Sequence, residues 1–473
     1  MKKLNELYQG TSEVEIKNIR INSKEVEPGD LFVCTMGVTA DRHLFVEDAV
    51  ARGAVAIVAS KPVTTEVPVV YVEDTNQELP ELCARFYDHP EKELAFLGVT
   101  GTNGKTTVAE IVQDLLGDDL CAYLGTNGIS CSLFHESVRN TTPDSDYLFP
   151  YLRRFVDAGF QYLSMEVSSE AMYRKRLTTI FFDVAVFTCI GQEHLNIHGT
   201  MENYVDSKCA LFRQVKKDGF CILNRDDPYY ETFLKACNGK VITYGKDPTA
   251  DFRITSFELC IDRTILSFDY EGKSYCVESP LLCEYNVWNL AAAMLVLKTL
   301  GFEMEEIISR IPWIGQNDGR MELLQFGQDY SIVLDYAHNP LALQRTLEFL
   351  NQIKKNRLIT VTGTAGGRDR DKRPVMGKIV LEQSDYVIFT LDDPRREAVD
   401  QIIDDLVGDS QMTNYKRIPD RKEAIFYALS IAQKGDIVFL AGKGRDNYMA
   451  IGEEYLPYNE YEVVKSYFDI EQS

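Results

Sequence analysis

An α/β fold in three domains is what this sequence predicts, and three observations carry the prediction. The chain has 473 residues, enough for about three domains at ~150 residues each. In two separate stretches, short runs that are apolar throughout alternate with helix-period segments, the pattern of parallel sheets covered by helices on both faces. A glycine-rich turn stands between one of these strands and the helix that follows it.

Residues 1–92 hold GDLFVC (29–34), AVAIVAS (54–60) and VPVVYVED (67–74), with one helical pattern, FVEDAVARG (45–53). These predict a small α/β domain. Residues 93–316 carry ELAFLGVTG, DLCAYLGTN, QYLSMEVSS, FDVAVFTCI, GFCILNRDD and KVITYG, which predict a central P-loop ATPase-like parallel sheet. Residues 251–281 add a small β region of alternating, hairpin-like strands, and NVWNLAAAMLVLKTL (286–300) adds a helix. Residues 317–473 repeat the alternation with SIVLDYAHNP, RLITVTGTAGG, DYVIFTLDDP and DIVFLAGKG between helical segments. A Rossmann-like, doubly wound sheet follows, with ligands expected beyond the carboxyl ends of its strands. The loops at those ends are polar: DYAHNP, TAGGRDRD, LDDPRRE and GKGRDN.

Composition narrows the function classes. At 45% hydrophobic and 26% charged residues the chain is of ordinary globular make-up, which excludes disordered and fibrous classes. Its 50 Lys and Arg against 72 Asp and Glu leave a net charge of −22, a surface that repels nucleic acid backbones and anionic lipids. No nucleic acid partner and no membrane insertion are expected. Eleven cysteines, an odd number without a CxxC pair, suit a reducing compartment, and with no apolar leader segment the expected location is cytoplasmic.

The glycine-rich turn is Gly98-Val-Thr-Gly101-Thr102-Asn103-Gly104-Lys105-Thr106-Thr107. It follows the strand LAFLG and opens a helix with Val108, Ile111, Val112, Leu115 and Leu116 on one face. Glycines let backbone N–H groups face a phosphate, the helix N-terminus adds positive potential, Lys105 reaches the β and γ phosphates, and the Thr106 hydroxyl suits Mg2+. Val99 stands where the strict GxxxxGK[ST] pattern has its first glycine, so the spacing here is GxxGxxGK. The reading is an ATP site.

TGTNGKTT is also where the sequence resembles the Mur ligases of peptidoglycan synthesis and their relatives, the folylpolyglutamate synthases. The resemblance runs over nearly the whole chain. Residues 22–58 resemble the sugar-nucleotide-binding domain of the MurE branch, which adds the third residue of the stem peptide. NTTPDSD (140–146), MEVSSEAMYRKR (165–176), HLNIHGTMENYVDSK (194–208), GRMELL (319–324), DYAHNP (335–340), GGRDRDKRPVMG (366–377) and LDDPR (391–395) occur in the family's order.

The resemblance implies an amide ligase that activates a carboxylate with ATP and Mg2+ as an acyl phosphate and then joins it to an amine. By position it assigns Lys105, Glu166, His194, Lys208 and Arg320 to catalysis. Thr106, Glu166, His194 and Lys208 would hold metal, with Lys208 carbamylated into a carboxylate-like ligand. Gly101 to Thr107 would wrap the phosphates, and Asn286, Arg320 and Asp335 would grip adenine, phosphate and ribose. Ser23 lies where the family contacts uridine, and Thr141, Thr142, Ser168, Arg174 and Arg176 lie where it holds pyrophosphate and the muramoyl-peptide acid.

For the incoming amino acid the resemblance points to Arg368, Asp392, Asp393, Arg395, Gly442 and Asp446. LDDPR resembles the DNPR signature that accompanies meso-diaminopimelate, whose distal carboxylate takes a bidentate Arg, here Arg395, while Asp392 faces an ammonium. Lysine has no distal carboxylate, so diaminopimelate is favoured over L-lysine. The sequence departs from the family at Asp393 for Asn, at Arg445 and Asp446 in place of His-Glu, and at Glu170, Cys189, Glu193 and Asn196 near the metals. The expected partners are the UDP-N-acetylmuramoyl dipeptide and a diamino acid, with the chain a monomer. A MurE-like paralogue with another amino acid or acid substrate, or a catalytically silent binding protein, are the alternatives that these departures leave open.

Overall fold

The computed structural model describes residues 1–37, 40–138, 140–193, 195–260, 263–315, 319 and 321–471. His194 and Arg320 lie outside the described residues, as does the side chain of Asn196. The chain divides into two compact units. One comprises Met1–Arg253, Asp269–Gly272 and Asn289–Ser309, the other Ile254–Phe268, Lys273–Trp288 and Arg310–Ser473.

Early in the first unit stand four parallel strands paired in chain order, β1 (Ile19–Arg20), β2 (Leu31–Val33), β3 (Ala56–Ala59) and β4 (Val69–Tyr71). Side chains alternate across such a sheet. Leu31, Val33, Ala56 and Val58 accordingly join one core, and Phe32, Cys34, Ile57 and Ala59 another. Helix α1 (Thr75–Phe86) covers the first face with Leu79, Leu82, Cys83 and Phe86. Asp74 caps the helix by accepting the N–H groups of Asn76 and Gln77 at 2.9 and 3.3 Å.

Then come β5 (Ala95–Thr100), α2 (Lys105–Leu116), β6 (Cys121–Gly125), β7 (Gly128–Cys131), β8 (Phe134–Glu136), α3 (Ser145–Ala158), β9 (Tyr162–Glu166), α4 (Ser169–Tyr173), β10 (Phe182–Phe187), α5 (Met201–Arg213), β11 (Val215–Asn224) and β12 (Lys240–Gly245). The sheet runs β8-β7-β6-β9-β5-β10-β11-β12 and continues into the strand that follows β12. Every neighbouring pair from β6 to β12 is parallel, and the β7–β8 hairpin adds an antiparallel edge. The register sets Glu166 opposite Val99 and Phe187 opposite Thr100. The carboxyl ends of β9 and β10 therefore flank the turn that leaves β5.

Three strands follow, β13 (Phe252–Leu259), β14 (Thr264–Tyr270) and β15 (Lys273–Ser279), and then helix α6 (Tyr285–Thr299). Ala291 to Leu297 are all buried, as expected of a helix apolar on every side.

In the second unit β16 (Glu322–Leu324), β17 (Ser331–Asp335), α7 (Pro340–Ile353), β18 (Leu358–Thr362), α8 (Lys372–Gln383), β19 (Tyr386–Phe389), α9 (Val399–Val407), β20 (Tyr415–Arg417), α10 (Arg421–Ile431) and β21 (Ile437–Ala441) build a sheet of order β16-β17-β21-β18-β19-β20. Only β16 is antiparallel to its neighbour. A hairpin, β22 (Tyr448–Ile451) and β23 (Glu454–Pro457), and helix α11 (Glu460–Glu471) end the chain. Val333, Val387, Phe389 and Phe439 face α7 and α8, while Ile332, Leu334, Ile388, Val438 and Leu440 face α10 and α11. This is the doubly wound α/β arrangement that the apolar strands predict. Among the described residues no helix is long and apolar enough to cross a membrane.

Candidate active site

The turn after β5 is strapped to the segment that leaves β10. Thr102 donates its N–H to Cys189 O at 2.7 Å and its hydroxyl to Gly191 O at 3.1 Å, and the Thr188 hydroxyl donates to Asn103 O at 2.6 Å. Gly104 caps α2 with φ +86°, in the left-handed region that glycine tolerates. A side chain on Gly101 would overlap the Thr188 hydroxyl. No side chain caps α2, so its first-turn amides point outward as anion donors. Lys105 arches back over the loop, its Nζ donating to Gly101 O and Thr102 O at 3.0 and 2.9 Å. This cradle fits a chain of phosphates.

Glu166, fully buried at the end of β9, lies beside it. Its Oε1 accepts from the Thr106 hydroxyl at 2.9 Å, the Tyr123 hydroxyl at 2.8 Å and the Thr126 N–H at 2.7 Å. Among the described residues Oε2 receives only the Thr126 hydroxyl, at 3.3 Å. Burial and the Glu166 charge hold the Tyr123 hydroxyl well above its usual range, so it stays a donor. Lys208 is buried on α5 and donates to Gly101 O at 2.7 Å. Burial, and then the charge of Lys105, push its ammonium well below the usual lysine range. Among the described residues no three His, Cys, Asp or Glu side chains cluster as a metal site. The oxygens of Thr106 and Glu166 nonetheless fit a hard cation that keeps several waters.

Thr141 approaches this centre through the Thr126 hydroxyl at 3.2 Å. The Thr142 hydroxyl donates to Glu166 O at 2.8 Å and accepts the Ser168 N–H at 3.0 Å, and Ser168 in turn caps α4. Arg176 pairs with Asp144 at 2.6 Å and donates to Thr142 O at 2.9 Å. Glu170, a departure from the family pattern, pairs with Arg174 at 2.9 Å and lies 3.8 Å from Arg176. Ser23, in a short 3-10 turn capped by Asn22, bonds to Asp48.

In the second unit Asn286 donates to Leu282 O at 2.7 Å. Both Asp335 oxygens accept backbone N–H groups, from Met321 at 2.7 Å and Ala337 at 2.8 Å. The loops ending β18, β19 and β21 converge. Gly366 donates its N–H to Asp393 O at 2.8 Å, and Glu397 ties the exposed Arg368 loop down by accepting Gly367 N–H at 2.6 Å and Arg373 at 2.9 Å. Lys443, fully buried, lies 2.9 Å from Asp393, 3.1 Å from Asp446 and 3.9 Å from Asp392. Burial lowers the Lys443 ammonium, but the three carboxylates outweigh it and the net shift is upward. Burial raises Asp392 and Asp446. Gly442 takes φ +115°, with the place of a side chain only 3.0 Å from Asp392 Oδ2. Arg395 is half-buried, and among the described residues its Nε has no hydrogen-bond partner.

Sequence reasoning overlooks Tyr123, Thr126, Thr188 and Lys443. Tyr123 is hidden in an apolar strand run, and its one signal is the glycine two residues on; Lys443 is flagged only by the glycines on either side.

Comparison with known proteins gives three matches along the chain: residues 15–94 to the Mur ligase family catalytic domain, 99–297 to the Mur ligase middle domain and 319–444 to the Mur ligase glutamate ligase domain. The UDP-N-acetylmuramoyl-L-alanyl-D-glutamate–2,6-diaminopimelate ligase of Geobacillus kaustophilus is 36% identical over 96% of this chain and 94% of its own. UDP-N-acetylmuramyl-tripeptide synthetase 2 of Oceanobacillus iheyensis is 38% identical over 94% of this chain and 92% of its own. A solved structure of a UDP-N-acetylmuramoyl-L-alanyl-D-glutamate–2,6-diaminopimelate ligase superposes with a TM-score of 0.70 at 29% identity, covering all of both chains.

Proposed function

The chain belongs to the Mur ligase family, and from that premise we propose that it adds a diamino acid, meso-diaminopimelate in preference to L-lysine, to UDP-N-acetylmuramoyl-L-alanyl-D-glutamate in peptidoglycan precursor synthesis. The observation that carries this reading is similarity to diaminopimelate ligases over nearly the full length of both chains. The phosphate cradle and the Arg395 turn support it.

We assign residues 1–92 to the sugar nucleotide, 93–316 to ATP and 317–473 to the amino acid. The α2 amides and Lys105 hold the β and γ phosphates of ATP in place. Thr106, Glu166, His194 and carbamylated Lys208 would hold Mg2+, which when bound offsets charge on the transferring phosphoryl group. Thr126 and Tyr123 occupy Oε1 and leave Oε2 as the less encumbered oxygen of Glu166. The substrate carboxylate takes the γ-phosphoryl group of ATP as ADP leaves, and the amine then attacks the acyl carbon, displacing phosphate and losing a proton to form the amide. Thr141, Thr142, Ser168, Arg174 and Arg176 line the path of the carboxylate substrate, with Glu170 and Asp144 fixing the two arginines. Ser23 contacts uridine, and Asn286, Arg320 and Asp335 grip the adenine, phosphate and ribose of ATP. Arg395 with Arg368 reads the distal carboxylate of the diamino acid, and Asp392 and Asp446 receive its ammonium beside Gly442. The protein works as a monomer in the cytoplasm.

ADP release from the purified chain with ATP, Mg2+ and the UDP-muramoyl dipeptide tests this. Release should require diaminopimelate and be much slower with lysine. Release that ignores the amino acid, or that favours lysine, contradicts the reading.

A further inference from the structure

The DNPR signature carries Asn where this chain has Asp393, and an added carboxylate here has two readings: a ligand for substrate, or an internal strut. The geometry points to the second. Asp393 Oδ1 accepts Lys443 Nζ at 2.9 Å and the Ala450 N–H, also at 2.9 Å. Ala450, on the hairpin strand β22, in turn accepts the Arg395 N–H at 2.9 Å, and Gly452 donates its N–H to Arg395 O at 2.7 Å. Between those two bonds Arg395 holds φ +52°, a left-handed conformation that a non-glycine residue keeps only where its surroundings impose it. A continuous chain of contacts thus runs from Lys443 through Asp393 and Ala450 to the backbone of Arg395.

We infer that Asp393 and Lys443 are positioning residues that lock the hairpin to the Asp392–Arg395 turn and so aim the Arg395 guanidinium. The inference rests on the reading that this turn receives the diamino acid. Asn at 393 keeps the oxygen that both donors use, so the ammonium of Lys443 and the N–H of Ala450 stay satisfied. Ala at 393 removes that oxygen, leaving both donors buried without it. Replacing Lys443 by Met leaves three carboxylates facing one another, and adding Asp393→Asn relieves one of them.

The test compares Asp393→Asn, Asp393→Ala, Lys443→Met and the double variant Lys443→Met/Asp393→Asn. Asp393→Asn should leave the KM for diaminopimelate within about threefold of wild type, while Asp393→Ala and Lys443→Met raise it about tenfold or more, the loss expected of a buried donor or charge left unpaired. The double variant should recover most of the Lys443→Met loss, with KM for ATP unchanged throughout. Because Arg395 is the carboxylate reader, Asp393→Ala should also erode the preference for diaminopimelate over lysine. Hydrogen exchange supplies a second readout that needs no turnover. The amides of Arg395, Ala450 and Gly452 should lose protection in Asp393→Ala and keep it in Asp393→Asn. If Asp393→Asn loses as much as Asp393→Ala, Asp393 is a charge ligand and the inference falls; it also falls if those amides exchange alike in both. A wild-type chain with no diaminopimelate turnover sinks the proposed function instead, and the exchange experiment still decides the relay.

Discussion

Gly125→Ala should disable the phosphate centre through the two side chains packed against it. Gly125 ends β6 directly beneath the carboxylate of Glu166. A Cβ there would overlap Glu166 Oε1 and the Tyr123 hydroxyl and lie 2.7 Å from Tyr123 Cζ. Both neighbours are fully buried, so neither can swing into solvent. Overpacking of a tight core costs about 1–3 kcal/mol, and losing one hydrogen bond to a buried charged group costs about 1.5–3 kcal/mol, together about 3–5 kcal/mol. At about 2–4 °C per kcal/mol for a cooperative unit of this size, the melting temperature should fall by about 10 °C. Displacing Glu166 by ~1 Å should also cost ~100-fold in rate, with a raised Mg2+ requirement. The assay pairs a circular-dichroism melt with a Mg2+ titration of ADP release. Gly159→Ala serves as the comparison, because Gly159 has open space around it but φ +87°, and should cost only about 1–2 kcal/mol. A Gly125→Ala protein that melts within 2 °C of wild type, to order of magnitude no ΔΔG beyond ~1 kcal/mol, and needs no more Mg2+ refutes the reasoning.

Three other perturbations have expected outcomes. Asp146 is buried and its carboxyl is pushed up to about 7, chiefly by burial and then by Asp144. A carboxyl raised above its unfolded value binds protons more tightly in the folded state, so its contribution to stability is lost as pH rises from about 4 to about 7; Asp146→Asn should flatten that fall and gain up to about 4 kcal/mol at pH 8 in urea titrations. Arg421 and Glu460 form a fully buried bidentate pair at 2.7 and 2.8 Å, and Arg421 also donates to Ala441 O at 2.9 Å. Glu460→Ala should therefore destabilise by about 3–5 kcal/mol, while Arg421→Met/Glu460→Ala recovers part of the loss. Lys208→Ala should abolish ligation, and the wild-type enzyme should lose activity in carbon dioxide-free buffer and regain it with bicarbonate; a fully active variant removes the carbamate from the mechanism.

What the sequence discloses and what it conceals divide along a physical line. The phosphate loop is legible because its chemistry is local: glycines, lysine and threonines lie within one turn, and the helix they open has its own apolar period. The two parallel sheets are legible because strands buried on both faces must be apolar throughout. Glu166 is legible only as a strand-end acid; its four hydrogen bonds come from β6, α2 and the turn after β6, which strand order alone brings together. Lys208 reads on its helix as an ordinary solvated lysine, and its burial depends on how α5 packs. Lys443 and Ala450 bind Asp393 from 50 and 57 residues away in sequence, so no spacing rule reveals them. Family resemblance marks Asp393 as a substrate residue, and its bonds to Lys443 and Ala450 come in addition to anything the resemblance implies.

The central claim is tested most directly by letting the two amino acids compete. Purified chain is given ATP, Mg2+, the UDP-muramoyl dipeptide and equal concentrations of meso-diaminopimelate and L-lysine, and the product is identified by mass. The UDP-muramoyl tripeptide that carries diaminopimelate should dominate, and Arg395→Ala should remove that preference. A product that carries lysine alone, or no tripeptide at all, contradicts the account.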